Sequence, residues 1–128
     1  MERPGRLAPM RLEWLAAGLG GAVGSMARHG VNTLVARRFG SSVPYATFAV
    51  NLVGCAVIGL LAGLLASERL SMAPAVRVFV FVGILGGFTT FSSFGLDTFV
   101  LVRTGRVAMA FWNLIGQLLL GIAAVAVG

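Results

Sequence analysis

Gly83-Ile84-Leu85-Gly86-Gly87-Phe88-Thr89-Thr90-Phe91-Ser92-Ser93-Phe94 is the stretch whose reading decides the fold. It lies inside an apolar run long enough to cross a bilayer. Yet it holds three glycines and four hydroxyl residues within twelve positions. A spanning helix bonds its backbone to itself, because lipid offers no partners. Gly-Gly followed by Thr-Thr is a poor helix centre. The expectation is a helix that breaks near mid-membrane and frees a few carbonyls. Such a break survives only where it is buried in protein or lines a wet path. Broken helices at the midplane are also where membrane proteins often bind ions. The plainer alternative is a small-residue packing face decorated with hydroxyls. The density of the cluster argues against it, as do Phe91 and Phe94, three apart on one helical face.

The rest of the chain fits a membrane setting. Of 128 residues, 58% are hydrophobic, 11% are charged and 18 are glycine. A soluble domain of this size could not hide so much apolar surface, so the chain reads as an all-α integral membrane protein. All ten basic residues are Arg and the formal net charge is +6. They sit mostly between apolar runs, where lipid headgroups and membrane orientation explain them better than nucleic acid does. The single cysteine, Cys55, lies in an apolar run; it excludes an internal disulfide and reads as a small packing residue. The first apolar run is too long for a cleavable signal and no clear cleavage site follows it.

Working outward, the sequence predicts four transmembrane helices in one membrane domain over 1–128, with spans at about 12–36, 45–66, 75–102 and 107–127. Residues 1–11 form a polar, flexible tail. Trp14 stands at the start of the first span as an interfacial anchor would. Gly20, Gly21, Gly24 and Ser25 repeat a small-xxx-small spacing, so another helix should come close there; Gly59 and Gly63 repeat it in the second span. The first loop holds Arg37, Arg38, Gly40, Ser41, Ser42 and Pro44, and Arg103 to Arg106 make a very tight third loop. Four short helices do not easily enclose a polar path alone, so an oligomer is expected. Flanking arginines are nearly balanced: Arg3, Arg6, Arg11, Arg69 and Arg77 on one side, Arg37, Arg38, Arg103 and Arg106 on the other. Five against four does not fix orientation, which points to insertion both ways round and opens the way to an antiparallel dimer.

No catalytic constellation is visible. His29 is the only histidine, the acids Glu2, Glu13, Glu68 and Asp97 are scattered, and no metal-ligand spacing or phosphate loop occurs. An enzyme is not expected. What remains is a set of neutral donors in Asn51, Thr90, Ser92, Ser93, Asn113 and Gln117, with one cation in Arg28. Donors and one cation favour an anion. Phenyl edges are weakly positive, so Phe91 and Phe94 suit an anion path if their edges face it.

Gly20-Gly21-x-x-Gly24-x-x-x-Arg28, Asn51-Leu52-x-Gly54 and Gly86-Gly87-Phe88-Thr89-Thr90-Phe91-Ser92-Ser93-Phe94 resemble the CrcB/Fluc fluoride channels, in order and across all four spans. The resemblance implies a dual-topology, antiparallel dimer with two pores, in the inner (plasma) membrane. It implies a structural sodium ion (Na+) at the dimer centre, held by main-chain carbonyls that here belong to Gly86 and Thr89. It puts Phe91, Phe94, Asn51, Ser93 and Arg28 along the fluoride pore. Asp97 stands where the family usually has Glu. Asn113 and Gln117 stand where many members have Tyr and Ser, so a polar track survives with different groups. The partner is a second copy, or a paralogue in a heterodimer. The implied activity is passive export: fluoride enters as HF, dissociates inside, and leaves through the channel. Fluoride is strongly hydrated, so its path must replace water with donors. The rivals are a small multidrug-type proton-coupled exporter, which would need a carboxylate within the membrane, and a structural subunit whose polar residues only join helices.

Overall fold

The computed structural model describes residues 7–41 and 43–128. The segment 1–6, with Arg3 and Arg6 of the charge count, and Ser42 of the first loop lie outside the described residues. Among the described residues every regular element is helical. Helix α1 runs over Leu7–Phe39 and α2 over Tyr45–Ala66. A third helical run, α3, covers 74–88. Helix α4 follows over Phe91–Arg103 and α5 over Val107–Val127.

α1 takes in residues 7–11, which the sequence reading assigned to a flexible tail. Pro9 falls in its first turn, where a backbone N–H has no helical acceptor, so the proline costs no hydrogen bond there. α3 starts with Pro74 at its first helical position, after an extended Ala73 (φ −60°, ψ 151°). Its middle, Val78–Leu85, winds more widely, as a π-helix. The last turn, Gly86–Phe88, ends abruptly: Thr89 (φ −82°, ψ 161°) and Thr90 (φ −156°, ψ 116°) are both extended. α4 then begins with its own cap, the Thr90 Oγ1 accepting the Ser93 N–H at 3.1 Å. At its far end Gly105 (φ 76°) takes the left-handed conformation, and Arg106 N–H closes on the Leu101 carbonyl at 2.8 Å. That turn lets α5 double back after three residues.

Glycines set the helix pairing. α1 lies against α3 almost backbone to backbone. A Cβ at Gly24 would collide with the Ile84 carbonyl and stand 2.8 Å from Phe88 N. One at Gly83 would stand 2.7 Å from the Gly20 Cα, and one at Gly87 2.6 Å from the Gly21 carbonyl oxygen. α2 meets α5 the same way, with Gly59 against the Val125 backbone and Gly63 2.9 Å from the Gly128 carbonyl oxygen. Small-residue interfaces of this kind are how helices pack where lipid removes the hydrophobic drive between them.

The inside is small and the outside is apolar. Val50, Leu85, Leu101 and Ala110 are buried, whereas Trp14, Leu19, Met26, Val82, Phe91 and Trp112 are exposed. A surface of that kind needs a hydrocarbon solvent. Tyr45–Ala66, Pro74–Arg103 and Val107–Val127 are long and apolar enough to cross a membrane. The chain is a multi-pass membrane protein.

Gly24→Ala is expected to destabilise the fold by about 1–3 kcal/mol, because the added methyl meets backbone that cannot turn aside. Gly18→Ala, with nothing within 4 Å of its Cβ, is the control and should leave the unfolding temperature in detergent unchanged. Equal unfolding temperatures for both variants would contradict the backbone contact.

Candidate functional site

The site is built around the two extended residues. In an uninterrupted helix the Gly86 carbonyl would accept the Thr90 N–H. Here Thr90 N–H donates to Asn51 Oδ1 at 2.8 Å instead. Asn51 Nδ2 returns a bond to the Thr90 carbonyl at 3.0 Å. The side-chain carboxamide of α2 thus pairs with the main-chain amide of the break as a neighbouring strand would, and satisfies both groups. The same pairing takes from Gly86 its helical donor. The other Asn51 amide hydrogen goes to Gln117 Oε1 at 2.7 Å. Both of Asn51's donors are therefore committed within the chain.

From Gln117 the bonds continue along α5. Gln117 Nε2 donates to Asn113 Oδ1 at 2.9 Å, as their spacing of one turn allows. Asn113, 5% exposed, donates to Thr98 Oγ1 at 2.9 Å. Thr98 in turn donates to the Phe94 carbonyl at 2.8 Å. On the other side of the break, Arg28 Nη1 donates to the Thr89 carbonyl at 3.4 Å. Thr89 Oγ1 is turned inward onto the Leu85 carbonyl at 2.9 Å. Ser93 Oγ accepts from Thr90 Oγ1 at 3.0 Å, which leaves its own hydrogen uncommitted.

A groove of about 530 Å³ opens beside the break. It brings together Asn51, Gly86, Thr89, Phe91, Phe94 and Gln117 of the residues expected from sequence. Arg28, Ser93 and Asn113 do not line it. The Phe91 and Phe94 rings lie 5.6 Å apart at an interplanar angle of 51°. Phe94 is half-buried, while Phe91 is 84% exposed. The sequence reading missed Cys55, Ile58, Leu114 and Leu118 in the groove wall. Helical periodicity carries the signal: Cys55 and Ile58 lie four and seven positions from Asn51, Leu114 lies three from Gln117, and Leu118 lies four from Leu114. Asp97 stands apart, its carboxylate accepting from Thr47 Oγ1 at 2.6 Å at the end of the bundle nearer Asn32 and Ser41.

Comparison with known proteins gives this site a family. The profile described as CrcB-like protein, Camphor Resistance (CrcB), matches residues 15–128. The chain belongs to the CrcB family. It is 44% identical over 114 residues to a protein of Chloroflexus aurantiacus named fluoride-specific ion channel FluC, with 89% of this chain and 90% of the relative covered. It is 46% identical over 120 residues to the protein of that name in Paracoccus denitrificans, covering 93% of each. To the one in Methylobacillus flagellatus it is 48% identical over 109 residues, covering 81% of each. The break and the groove both fall within the residues matched to the CrcB family.

Asn51→Leu strands the Thr90 N–H, while the Thr90 carbonyl keeps the first bond of α4, and is expected to cost about 2–3 kcal/mol of stability. Gln117→Leu leaves the Thr90 pairing in place and should cost about 1 kcal/mol. Thermal unfolding in detergent, read side by side, checks the order of the two effects. The pairing is not a structural tie if Asn51→Leu unfolds no earlier than Gln117→Leu.

Proposed function

We propose that this chain is a fluoride-specific ion channel that lets cytoplasmic fluoride leave by passive electrodiffusion through the inner (plasma) membrane, protecting the cell from its toxicity. The groove carries the reading. Its walls hold three phenyl rings, those of Phe81, Phe91 and Phe94, with carboxamides and aliphatic side chains, and among the described residues no Asp, Glu, Lys, Arg or His. The relatives that this chain matches over most of their length are named for fluoride. A proton-coupled exporter of cations would need an acid in the membrane path, and the groove offers none, so that alternative is not favoured.

The mechanism follows from what fluoride loses on entry. Stripping its water is costly, so the path must supply donors without holding the ion. Ring edges of Phe91 and Phe94 attract an anion weakly. The Ser93 hydroxyl and the remaining amide hydrogen of Gln117 are directed donors beside them. Arg28 contributes fixed positive charge next to the break. HF entering from acid surroundings dissociates inside, and the inside-negative potential drives the anion out.

We further assign α1 as a fourth span and the assembly as an antiparallel, dual-topology dimer, of two copies or with a paralogue. The exposure of Phe91 supports a second chain over the groove, since a ring lining a narrow pore needs an opposite wall. A structural sodium ion at the dimer centre fits the residues present. Gly86 is exposed, its carbonyl has lost its helical donor to Asn51, and an added Cβ there would meet nothing closer than the Phe81 carbonyl oxygen at 3.7 Å. Thr89's carbonyl, though it accepts from Arg28, keeps a second lone pair. Gly86 and Thr89 are the residues that would hold the ion, and a cation there raises the potential for an anion nearby.

Phe91→Ile keeps bulk but removes the ring quadrupole. Fluoride efflux from liposomes, normalised to folded protein recovered by size-exclusion chromatography, is expected to fall at least about tenfold. Near-normal flux from folded Phe91→Ile would exclude the rings from the path. Replacing sodium by N-methyl-D-glucamine is expected to lower the unfolding temperature of the purified protein, as removal of a ligand bound only by the folded state does. An unfolding temperature independent of sodium up to high millimolar concentration would remove the ion from the assignment.

A further inference from the structure

The bonds that end at Asn51 have a direction, and it is fixed at Thr90 and again two helices away. The Phe94 carbonyl can only accept. Thr98 Oγ1 must therefore give it the hydroxyl hydrogen, at 2.8 Å, and keep its lone pairs for Asn113 Nδ2 at 2.9 Å. That turns Asn113 Oδ1 to Gln117 Nε2, Gln117 Oε1 to Asn51 Nδ2, and Asn51 Oδ1 to the Thr90 N–H. Reversing any one carboxamide would set two NH2 groups or two oxygens face to face. Main-chain groups pin the relay at both ends, and burial makes a mismatch costly. A threonine that bonds its i−4 carbonyl is commonplace. Thr98 differs in that the same oxygen receives Asn113. Thr98 does not line the groove and belongs to none of the sequence motifs that mark it.

We propose that Thr98 and Asn113 are positioning residues for conduction: the Thr98 hydroxyl anchors the far end of the Thr98–Asn113–Gln117–Asn51 relay, whose near end Thr90 holds. In that sense Asn51 presents its oxygen to Thr90 and keeps the break paired. Gln117, which lines the groove, turns its oxygen to Asn51 and retains one amide hydrogen that no bond among the described residues uses. Without the Thr98 acceptor, Asn113 loses the partner of its amide and no longer holds its oxygen on Gln117, while Thr90 still fixes the sense of Asn51. Gln117 is then tied at one end only, and its groove-facing amide loses its fixed placement. The inference rests on the groove being the anion path.

The test is fluoride efflux from liposomes reconstituted with the full chain, per folded protein. Thr98→Val, close in shape and without the hydroxyl, is expected to slow efflux about fivefold or more. Thr98→Ser, which keeps the hydroxyl, should restore it to within about twofold of wild type. A structural role alone would not make Thr98 act through Gln117, which it does not touch, so the decisive arm is a double-mutant cycle. If the relay is one unit, Thr98→Val combined with Gln117→Met is no slower than the slower single variant. Independent, multiplying losses overturn the proposal, as does wild-type flux in Thr98→Val. If Gln117→Met does not fold, Asn113→Leu takes its place in the cycle with the same two outcomes. Wild-type liposomes that release no fluoride would show instead that the channel reading itself has failed, and the relay's role with it.

Discussion

A main-chain amide inside a bilayer has nowhere to go, and here one side chain resolves that. Thr90 leaves the helix, and Asn51 meets its N–H and carbonyl together. Without that pairing the Thr90 N–H would be stranded, at a cost of several kcal/mol in hydrocarbon. Everything of functional interest hangs from the break so protected. It gives Phe91 and Phe94 a fresh helix start, turns the Thr89 carbonyl to Arg28, and leaves the Gly86 carbonyl without its helical donor. The other hand of the same carboxamide reaches Gln117 and so ties the break to α5.

The tie works because the surrounding helices are held at fixed, short separation. Gly20 and Gly24 admit the α3 backbone, and Gly54 admits the Thr89 methyl, which a Cβ would strike. α2 thereby comes close enough for Asn51 to span the gap to Thr90. The glycines are thus upstream of the hydrogen bonds: close approach in one pair of helices sets the reach of a polar side chain in another.

Much of this was legible in the sequence, and the reasons differ by feature. The all-helical membrane class followed from composition, since no soluble core can absorb so much apolar surface. Close helix approach at Gly20 and Gly24 followed from spacing. The partnership of Asn51 with Thr90 was not legible, because periodicity says which face a residue occupies and not which main-chain atom stands opposite. Asn51 reads as a free donor in sequence, whereas both its hydrogens are taken in the fold. Thr98 was invisible for a related reason: a threonine at the i+4 position to Phe94 carries no motif, and its importance comes only from what Asn113 needs. The wide winding of Val78–Leu85 has no evident signal in an aliphatic and aromatic run, and we have no physical account of it.

The apolar exterior has a consequence for how much information each position holds. Lipid tails have no fixed shape, so Leu, Ile and Val on the outward faces of α2 and α5 answer to a solvent that cannot tell them apart. Facing inward, Gly24 answers to a carbonyl and Asn51 to a particular amide, and neither has a synonym. The chain is therefore written in two alphabets, a loose one for the bilayer and a strict one for itself. The strict one is carried mostly by the smallest side chains and the few neutral polar ones.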